Sequence, residues 1–406
     1  MLNPVINFRK TLIIKNSIFR SLMIGLFFYN CSEWIERLCI SWLILESTDS
    51  ILATTISFAI GSIIQTFFSP FTAAAADKFG RNKTIIIVGI LRFIILFIFA
   101  LLVIQNKNFI IIAYLASAMT GINRSFIVPA FQGSVVNSVE DNQKILAMLI
   151  YSLIMRMTGV IGSLLGGFFS VLFGVEEAII LSAIFGILGS LSILLRSDNL
   201  VEIKNKKNYF SSIKAGLNLV FGNFYSRNLL LFAGIVEIFG FSFFSLLSSI
   251  SKFILKSEIG TLSVLQTTMS IGSFVGIILL FRWKDINKAY LLATSISIFF
   301  GASILFIPIF SNLFFIVILL FIIGGCSACF DAIQWIFLQK NIPNELRSTA
   351  VSAWFITIGF GWLGHILLGY MSDSYGLEIT ILFTGIILLI SGLLFLFFIK
   401  LNNSNE

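Results

Sequence analysis

The chain has 406 residues, of which 58% are hydrophobic and only 11% are charged. Soluble domains carry about 25% charged residues, so this composition excludes an ordinary soluble globular protein. The apolar residues recur in runs of about 20, the length with which an α-helix crosses a hydrocarbon core of about 30 Å. Because lipid offers the backbone no hydrogen-bond partner, these runs predict an all-α integral membrane protein.

Charged or asparagine-rich breaks divide the apolar runs into twelve predicted transmembrane helices. In chain order they lie near residues 19–45, 51–76, 84–104, 109–131, 145–172, 178–195, 229–250, 261–281, 289–309, 311–337, 349–371 and 379–399. They form two six-helix halves, residues 1–195 and 229–406, joined by a linker at 196–228. Within the linker, apolar residues at helical spacing predict a short amphipathic helix on the membrane surface: Phe210, Ile213, Leu217 and Val220.

The basic residues predict the orientation of the chain. If both termini are cytoplasmic, 20 of the 27 lysines and arginines lie on the cytoplasmic side, and only Lys107, Lys252 and Lys256 lie on the opposite side. This asymmetry satisfies the positive-inside rule. We therefore expect a multi-pass protein of the cell membrane with both termini in the cytoplasm. The net charge of +8 faces anionic lipid headgroups and does not require a nucleic acid.

The stretch FTAAAADKFGRNK, residues 71–83, concentrates charge in a short cytoplasmic loop between the second and third spans. Gly80 is expected to supply a tight turn. The Asp77 carboxylate can accept hydrogen bonds from the amino end of a neighbouring helix or pair with an arginine, and such a bond could break during a conformational change. The alternative is a loop that only sets the topology, with Asp77 solvated.

This loop resembles the signature of the major facilitator superfamily, Gly-x-x-x-Asp-Arg/Lys-x-Gly-Arg-Arg/Lys. The matching residues are Asp77, Lys78, Gly80 and Arg81, and Ala73 stands where the first glycine is usual. The resemblance extends over nearly the whole chain, because twelve spans, a long middle loop and cytoplasmic termini fit the same family. It implies two six-helix halves around a central cavity.

Other stretches resemble the macrolide and siderophore exporters within that superfamily. EWIERLCISWLILESTDS (33–50) is similar to their first span with its Thr-Gly-Ser-like turn, and GINRSFIVPAFQGSVVNSV (121–139) to their fourth. GSLLGGFFSVLFG (162–174) resembles their fifth span, with Ser163 where proline is expected. These stretches suggest a bacterial exporter. GYMSDSYG (369–376) also has a Gly-x-x-x-Asp-x-x-Gly spacing, which we interpret as a turn outside the membrane.

Several charged residues fall inside the predicted spans, where each costs about 2.5 to 3.5 kcal/mol unless it has a partner or water. At 100° per residue, Asn30, Glu33, Glu36 and Arg37 share one face of the first helix, which therefore does not face lipid. The further charged residues are Arg92, Arg124, Arg156, Glu237 and Asp331, and His365 is the only histidine. Arg92 is expected to reach headgroups or a neighbouring helix, and Cys326 and Cys329 to pack between helices.

The family resemblance implies that spans one, four, seven and ten line the cavity. Four acids in these spans are then candidates for proton coupling, with Glu33 first and Glu237 second, followed by Glu36 and Asp331. The candidate residues for the substrate cavity are Asn30, Arg37, Arg124, Arg156 and His365. The alternative is a set of static ion pairs, Glu33 with Arg37 or Glu36 with Arg124, that only hold helices together.

The predicted function is proton-driven export of a hydrophobic or amphiphilic small molecule, as the resemblance implies, by a monomer that needs no cofactor. No Walker signature supplies ATP chemistry. A cationic substrate could compete with the proton for the same carboxylate. The alternatives are uptake or exchange of a metabolite or lipid-like solute and, in another class, a membrane-embedded enzyme or a channel. No Ser-His-Asp cluster favours an enzyme, and two halves favour rocking over a fixed pore.

The orientation predicts which loops an impermeant thiol reagent reaches in whole cells. Single cysteines at Lys107 and Glu176, in a cysteine-free background, should be labelled, whereas those at Lys83 and Lys206 should react only after the cells are opened, because the charge asymmetry places them in the cytoplasm. Labelling at Lys83 in intact cells would reverse the orientation.

Overall fold

The computed structural model describes residues 16–105, 109–194, 224–281, 289–341 and 359–403, and in these ranges the chain is helical without a strand. In the N-terminal half the helices are α1 (Ser17–Thr48), α2 (Ile51–Phe79), α3 (Arg81–Ile104), α4 (Phe109–Asn137), α5 (Lys144–Leu172) and α6 (Val175–Leu194). In the C-terminal half, α7 starts as Phe224–Ile235 and continues to Ile254, followed by α8 (Ile259–Phe281), α9 (Ala289–Phe306), α10 (Leu313–Asn341), α11 (Gly361–Tyr375) and α12 (Leu377–Asn403).

Ten of the described helices are long and apolar enough to cross a membrane. The two others are α1, which carries Glu33, Glu36 and Arg37 in its middle, and α11, which is described from Gly361 onwards. Twelve spans in two halves therefore stay a prediction, although every helix except α11 lies within a few residues of a predicted run. The predicted amphipathic helix of the linker falls at 210–220, outside the described residues.

Close contacts divide the chain into two compact units, and the division differs from the predicted halves. One unit takes the described residues up to Cys39 and those from Phe67 to Leu194, whereas the other takes Ile40–Thr66 together with the described residues from Phe224 onwards. The end of α1 and most of α2 thus pack with the C-terminal helices. Sequence order could not predict this, because packing partners are set by the surfaces of the helices.

Small residues bring the helices of the first unit close together. A Cβ atom on Gly189 of α6 would lie 2.9 Å from the Gly25 carbonyl oxygen of α1, and one on Gly162 of α5 would lie 3.0 Å from that of Cys31. Between α3 and α6, a Cβ atom on Gly89 would overlap Ser190. In lipid, such small residues permit the close backbone approach that gives van der Waals packing.

Small residues also permit close approach at two helix crossings of the second unit. A Cβ atom on Gly276 of α8 would lie 2.7 Å from Gly325 of α10, and one on Gly301 of α9 would lie 2.7 Å from the Gly385 carbonyl oxygen of α12. The Cys329 thiol also donates to the Gly276 carbonyl oxygen, over 3.2 Å. The predicted role of this cysteine in helix packing agrees with that contact.

Helix α7 departs from regular α geometry at two places. It passes through π-helical turns at Val236–Phe241 and Ile250–Ile254, separated by a 3-10 turn at Ser242–Leu246 and a short α turn. The Ser242 hydroxyl donates to the Gly361 carbonyl oxygen of α11 over 2.8 Å. Because π-helical turns occur frequently at functional sites, the turn that contains Glu237 stands out.

The connection between α1 and α2 is a two-residue turn tied to the C-terminal helices. Asp49 adopts a left-handed conformation with φ of 51°. Lys252 Nζ lies 2.6 Å from Asp49 Oδ1 and 3.0 Å from the Leu45 carbonyl oxygen. The stretch GYMSDSYG was predicted as a turn, but all of it except Gly376 lies in α11.

The Asp373 carboxylate of α11 caps the first turn of α2. It accepts hydrogen bonds from the backbone N–H of Ile51 over 2.8 Å and of Leu52 over 3.2 Å, and from the Ser50 hydroxyl over 2.6 Å. The first N–H groups of a helix have no partner within the helix, and a carboxylate there also interacts favourably with the helix dipole. Asp373 therefore fastens the start of α2 to the end of α11.

Replacing Asp373 by alanine should raise the hydrogen-exchange rate of the Ile51 and Leu52 amides about fivefold, because losing a helix cap costs about 1 kcal/mol. Exchange of the peptide around residue 51, followed by mass spectrometry, measures this. Glu378→Ala, at the exposed start of α12, is the matched control and should leave that peptide unchanged. Equal exchange in both variants would show that Asp373 adds nothing to the cap.

Candidate functional site

The middle of α1 is enclosed on nearly all sides. From Tyr29 to Leu45 every residue is buried except Trp34 and Arg37, which retain intermediate exposure. These two residues are three positions apart and so lie on the same side of the helix. The accessible side of this otherwise buried helix therefore lies at these two neighbouring side chains.

Glu33 holds two arginines on this accessible side of α1. Its Oε1 atom lies 2.8 Å from Arg37 Nη2, one turn further along α1, and 3.1 Å from Arg124 Nε of α4. The Glu33 side chain is 8% exposed, whereas those of Arg37 and Arg124 are 32% and 27% exposed. The Arg37 guanidinium also lies 5.8 Å from the centre of the Trp34 ring. We call Glu33, Arg37 and Arg124 the open triad.

Glu36 forms a second, closed ion pair with Arg92 of α3. Both side chains are at most 2% exposed. One Glu36 oxygen accepts from Arg92 and the other from the Thr120 hydroxyl of α4. Arg92 also donates from Nε to Ser32 Oγ over 3.1 Å, and its guanidinium lies 5.1 Å from the centre of the Tyr29 ring. This closed pair joins α1, α3 and α4.

The structure thus separates the charges that the sequence placed together on one face of α1. The predicted pair Glu33 with Arg37 is present, but Arg124 contacts Glu33 and not Glu36. Arg92 reaches a neighbouring helix, one of its two expected destinations. Its pairing with Glu36 was missed, because helical spacing within α1 says nothing about which residue of α3 faces it. The polar residues Ser32 and Thr120 were a usable signal, since both occur within apolar runs.

Two further cavity candidates of the N-terminal half lie beside α5. The Asn30 amide nitrogen contacts the sulfur of Met155. Arg156, the next residue, is half-buried in α5. Asn30 therefore serves at least as a contact between α1 and α5.

The second unit contains three further candidates, Glu237, Asp331 and His365. Glu237 lies in the π-helical turn of α7 beside Gly361 of α11, where a Cβ atom would be 3.1 Å from Glu237 Oε1. Among the described residues no lysine or arginine forms an ion pair with Glu237. Asp331 lies in α10. His365 Nδ1 is hydrogen-bonded to Ser245 Oγ of α7 at 3.1 Å, and the ring packs near Phe58.

The charged stretch at residues 71–83 is more helical than the sequence suggested. Asp77 and Lys78 belong to the last turn of α2, and their side chains lie outside the described part of the chain. Only Gly80 separates α2 from α3, with φ of 92°, which is the turn predicted for it. The Arg81 guanidinium lies directly over Gly133 of α4, where a Cβ atom would come within 2.4 Å of Nη1.

The closed pair predicts a specific response to mutation. Arg92→Met should lower the free energy of unfolding by about 3 to 5 kcal/mol, because it leaves the Glu36 carboxylate buried without its counter-ion. The double variant Arg92→Met with Glu36→Met should recover most of this loss, since two apolar side chains replace the pair. The midpoint of thermal unfolding in detergent ranks the stabilities of the wild type, the single variant and the double variant. A double variant no more stable than the single one would show that the charges stabilise the unit beyond compensating each other.

The comparison with protein families gives one match that spans most of the chain. Residues 22–364 match the family model of the Major Facilitator Superfamily. No significant match exists among curated protein sequences. The branch of macrolide and siderophore exporters, suggested by three stretches of sequence, therefore stays a hypothesis.

Solved structures of transporters share this fold. The nucleoside transporter NupG is 15% identical, with 94% of this chain and 99% of that one covered and a TM-score of 0.70. A POT family transporter in complex with 5-aminolevulinic acid is 13% identical, with 94% and 95% covered and a TM-score of 0.72. A bacterial homologue of the human lysosomal transporter Spinster is 14% identical, with 93% and 96% covered and a TM-score of 0.69. With the family match, these structures show that the chain belongs to the Major Facilitator Superfamily and is a transporter rather than an enzyme.

Proposed function

We propose that this transporter exports a hydrophobic or amphiphilic small molecule in exchange for protons, by alternating access across the cell membrane of a bacterium. The observation that carries this proposal is the open triad: a nearly buried carboxylate on α1 that holds two guanidiniums, of Arg37 and Arg124, which remain accessible. Ionisable groups inside membrane helices mark substrate and proton pathways, because a purely structural contact would be cheaper with apolar residues.

Glu33 is the preferred proton carrier because its two cationic partners remain accessible, so that a ligand or water that draws them away would let the carboxylate take up a proton. Its carboxylate pairs with Arg37 and Arg124, and water can reach both arginines because each retains more than a quarter of its side-chain exposure. Glu36 is fully engaged by Arg92 and Thr120 and has no such freedom. Glu237 is the second candidate because, in the described residues, no cation pairs with it.

The direction of transport and the class of substrate also have an alternative: the uptake or exchange of a metabolite or lipid-like solute. The compared structures are those of transporters for nucleosides and of other families, and at 13 to 15% identity they support only the shared fold. The same reconstituted system separates export from uptake, because the direction of the pH gradient that drives accumulation differs between antiport and symport.

The experiment is flux in liposomes with an imposed pH gradient, using a panel of drugs, siderophores and metabolites. Glu33→Gln should abolish gradient-driven accumulation while sparing downhill exchange, because glutamine keeps the size of the side chain but cannot carry a proton. Glu46→Gln, an exposed acid near the end of the same helix, is the matched control and should behave as wild type.

Other outcomes would redirect the mechanism. Equal loss of accumulation and exchange in Glu33→Gln would indicate structural damage. Full pH-driven transport in both Glu33→Gln and Glu237→Gln would remove these two acids and leave Glu36 and Asp331. Transport that ignores the pH gradient in wild type would contradict proton coupling altogether.

A further inference from the structure

The open triad and the closed pair together hold more positive than negative charge. They contain three guanidiniums, of Arg37, Arg92 and Arg124, and two carboxylates, of Glu33 and Glu36. The closed pair is neutral and almost fully buried, with Glu36 accepting from Arg92 and Thr120. The excess positive charge therefore lies on the open triad, where two arginines share one carboxylate.

The two arginines of the open triad keep donors for another partner. A guanidinium has five N–H donors, but the contacts to Glu33 involve one nitrogen of each arginine and converge on the same oxygen, Oε1. The Nε atom of Arg124 is buried and, although 3.1 Å from this oxygen, makes no hydrogen bond of good geometry in the described part of the chain. Glu33 thus holds the arginines near each other without using most of their hydrogen-bonding capacity.

The surface beside these donors is aromatic. Trp34 is the other accessible residue in the enclosed stretch of α1, and its ring lies next to the Arg37 guanidinium. A ligand that reaches the arginines therefore also contacts an indole ring. This combination suits a molecule with an anionic group on an apolar body, since guanidiniums bind carboxylates and phosphates as planar forks and tryptophan supplies apolar contact area.

We propose that the open triad binds the anionic group of the transported molecule, a carboxylate or phosphate, between Arg37 and Arg124, with the apolar part against Trp34. This inference rests on the proposed transport function and names the substrate class. The anion occupies the same guanidiniums as Glu33, so it competes with that carboxylate. A cationic substrate, which the sequence left open as a competitor for Glu33, would instead be repelled by the excess positive charge.

The test measures binding to the purified full-length protein in nonionic detergent, without a pH gradient, by calorimetry. The probes are matched pairs that differ in charge: acetate and acetamide, octanoate and octanamide, and 1-naphthaleneacetate and 1-naphthaleneacetamide, with 1-naphthyl phosphate to separate carboxylate from phosphate preference. In the pairs with an apolar body, the acid should bind at least about tenfold more tightly than its amide, as expected for hydrogen bonds to a charged group.

Variants then give shifts of opposite sign. Arg37→Gln and Arg124→Gln should each weaken binding of the acids about tenfold or more and leave the amides unchanged. Glu33→Gln should tighten binding of the acids, because it removes the competing carboxylate. Arg20→Gln, at an exposed position near the start of α1, is the matched control and should have no effect.

Two results would overturn the proposal. One is that no acid or phosphate binds more tightly than its neutral partner, and the other is that Glu33→Gln weakens binding of the acids as much as the arginine variants do. The second result would mean that the three residues only support one another structurally. Because no gradient is present, failure of proton coupling in liposomes and failure of anion binding are separate outcomes.

Discussion

An ionised side chain within a membrane needs a partner or water, and this requirement governs the arrangement around α1. The helix carries two glutamates and an arginine within five residues. Its sides are closed by helices that approach it through glycine and serine, as where Ser32 and Ser182 exchange hydrogen bonds between α1 and α6. Close packing and charge compensation therefore depend on each other, because the partners can be reached only when the backbones come near.

Helix geometry explains why two acids only three residues apart lie in different surroundings. Glu33 and Glu36 differ by about 60° around α1, enough for Glu36 to enter the space between α3 and α4 while Glu33 stays beside the accessible arginines. Both oxygens of Glu36 have partners, whereas only one oxygen of Glu33 does. A change of protonation at Glu36 would break a buried network, whereas at Glu33 it would release two arginines that water can reach.

The sequence predicted the helices well and the contacts between them less well. Runs of about 20 apolar residues are required by the thickness of a bilayer, so the predicted spans lie close to α1–α10 and α12. The pair Glu33 with Arg37 followed from their spacing within one helix. The pair Glu36 with Arg92 did not, because it depends on how α3 is rotated about its axis. For a similar reason the sequence did not predict that Asp373 caps α2, because these hydrogen bonds join residues more than 300 positions apart.

Arginine in place of lysine matters for the open triad. A guanidinium keeps its charge at any physiological pH and can contact a carboxylate on one edge while other N–H groups remain free. Two such groups that contact one glutamate oxygen keep other N–H donors for a second acceptor, and an entering anion competes with Glu33 for them. In the mechanism that we propose, an anion displaces Glu33 from these donors. Occupancy by an anion would then be linked to the freedom of Glu33 to take up a proton.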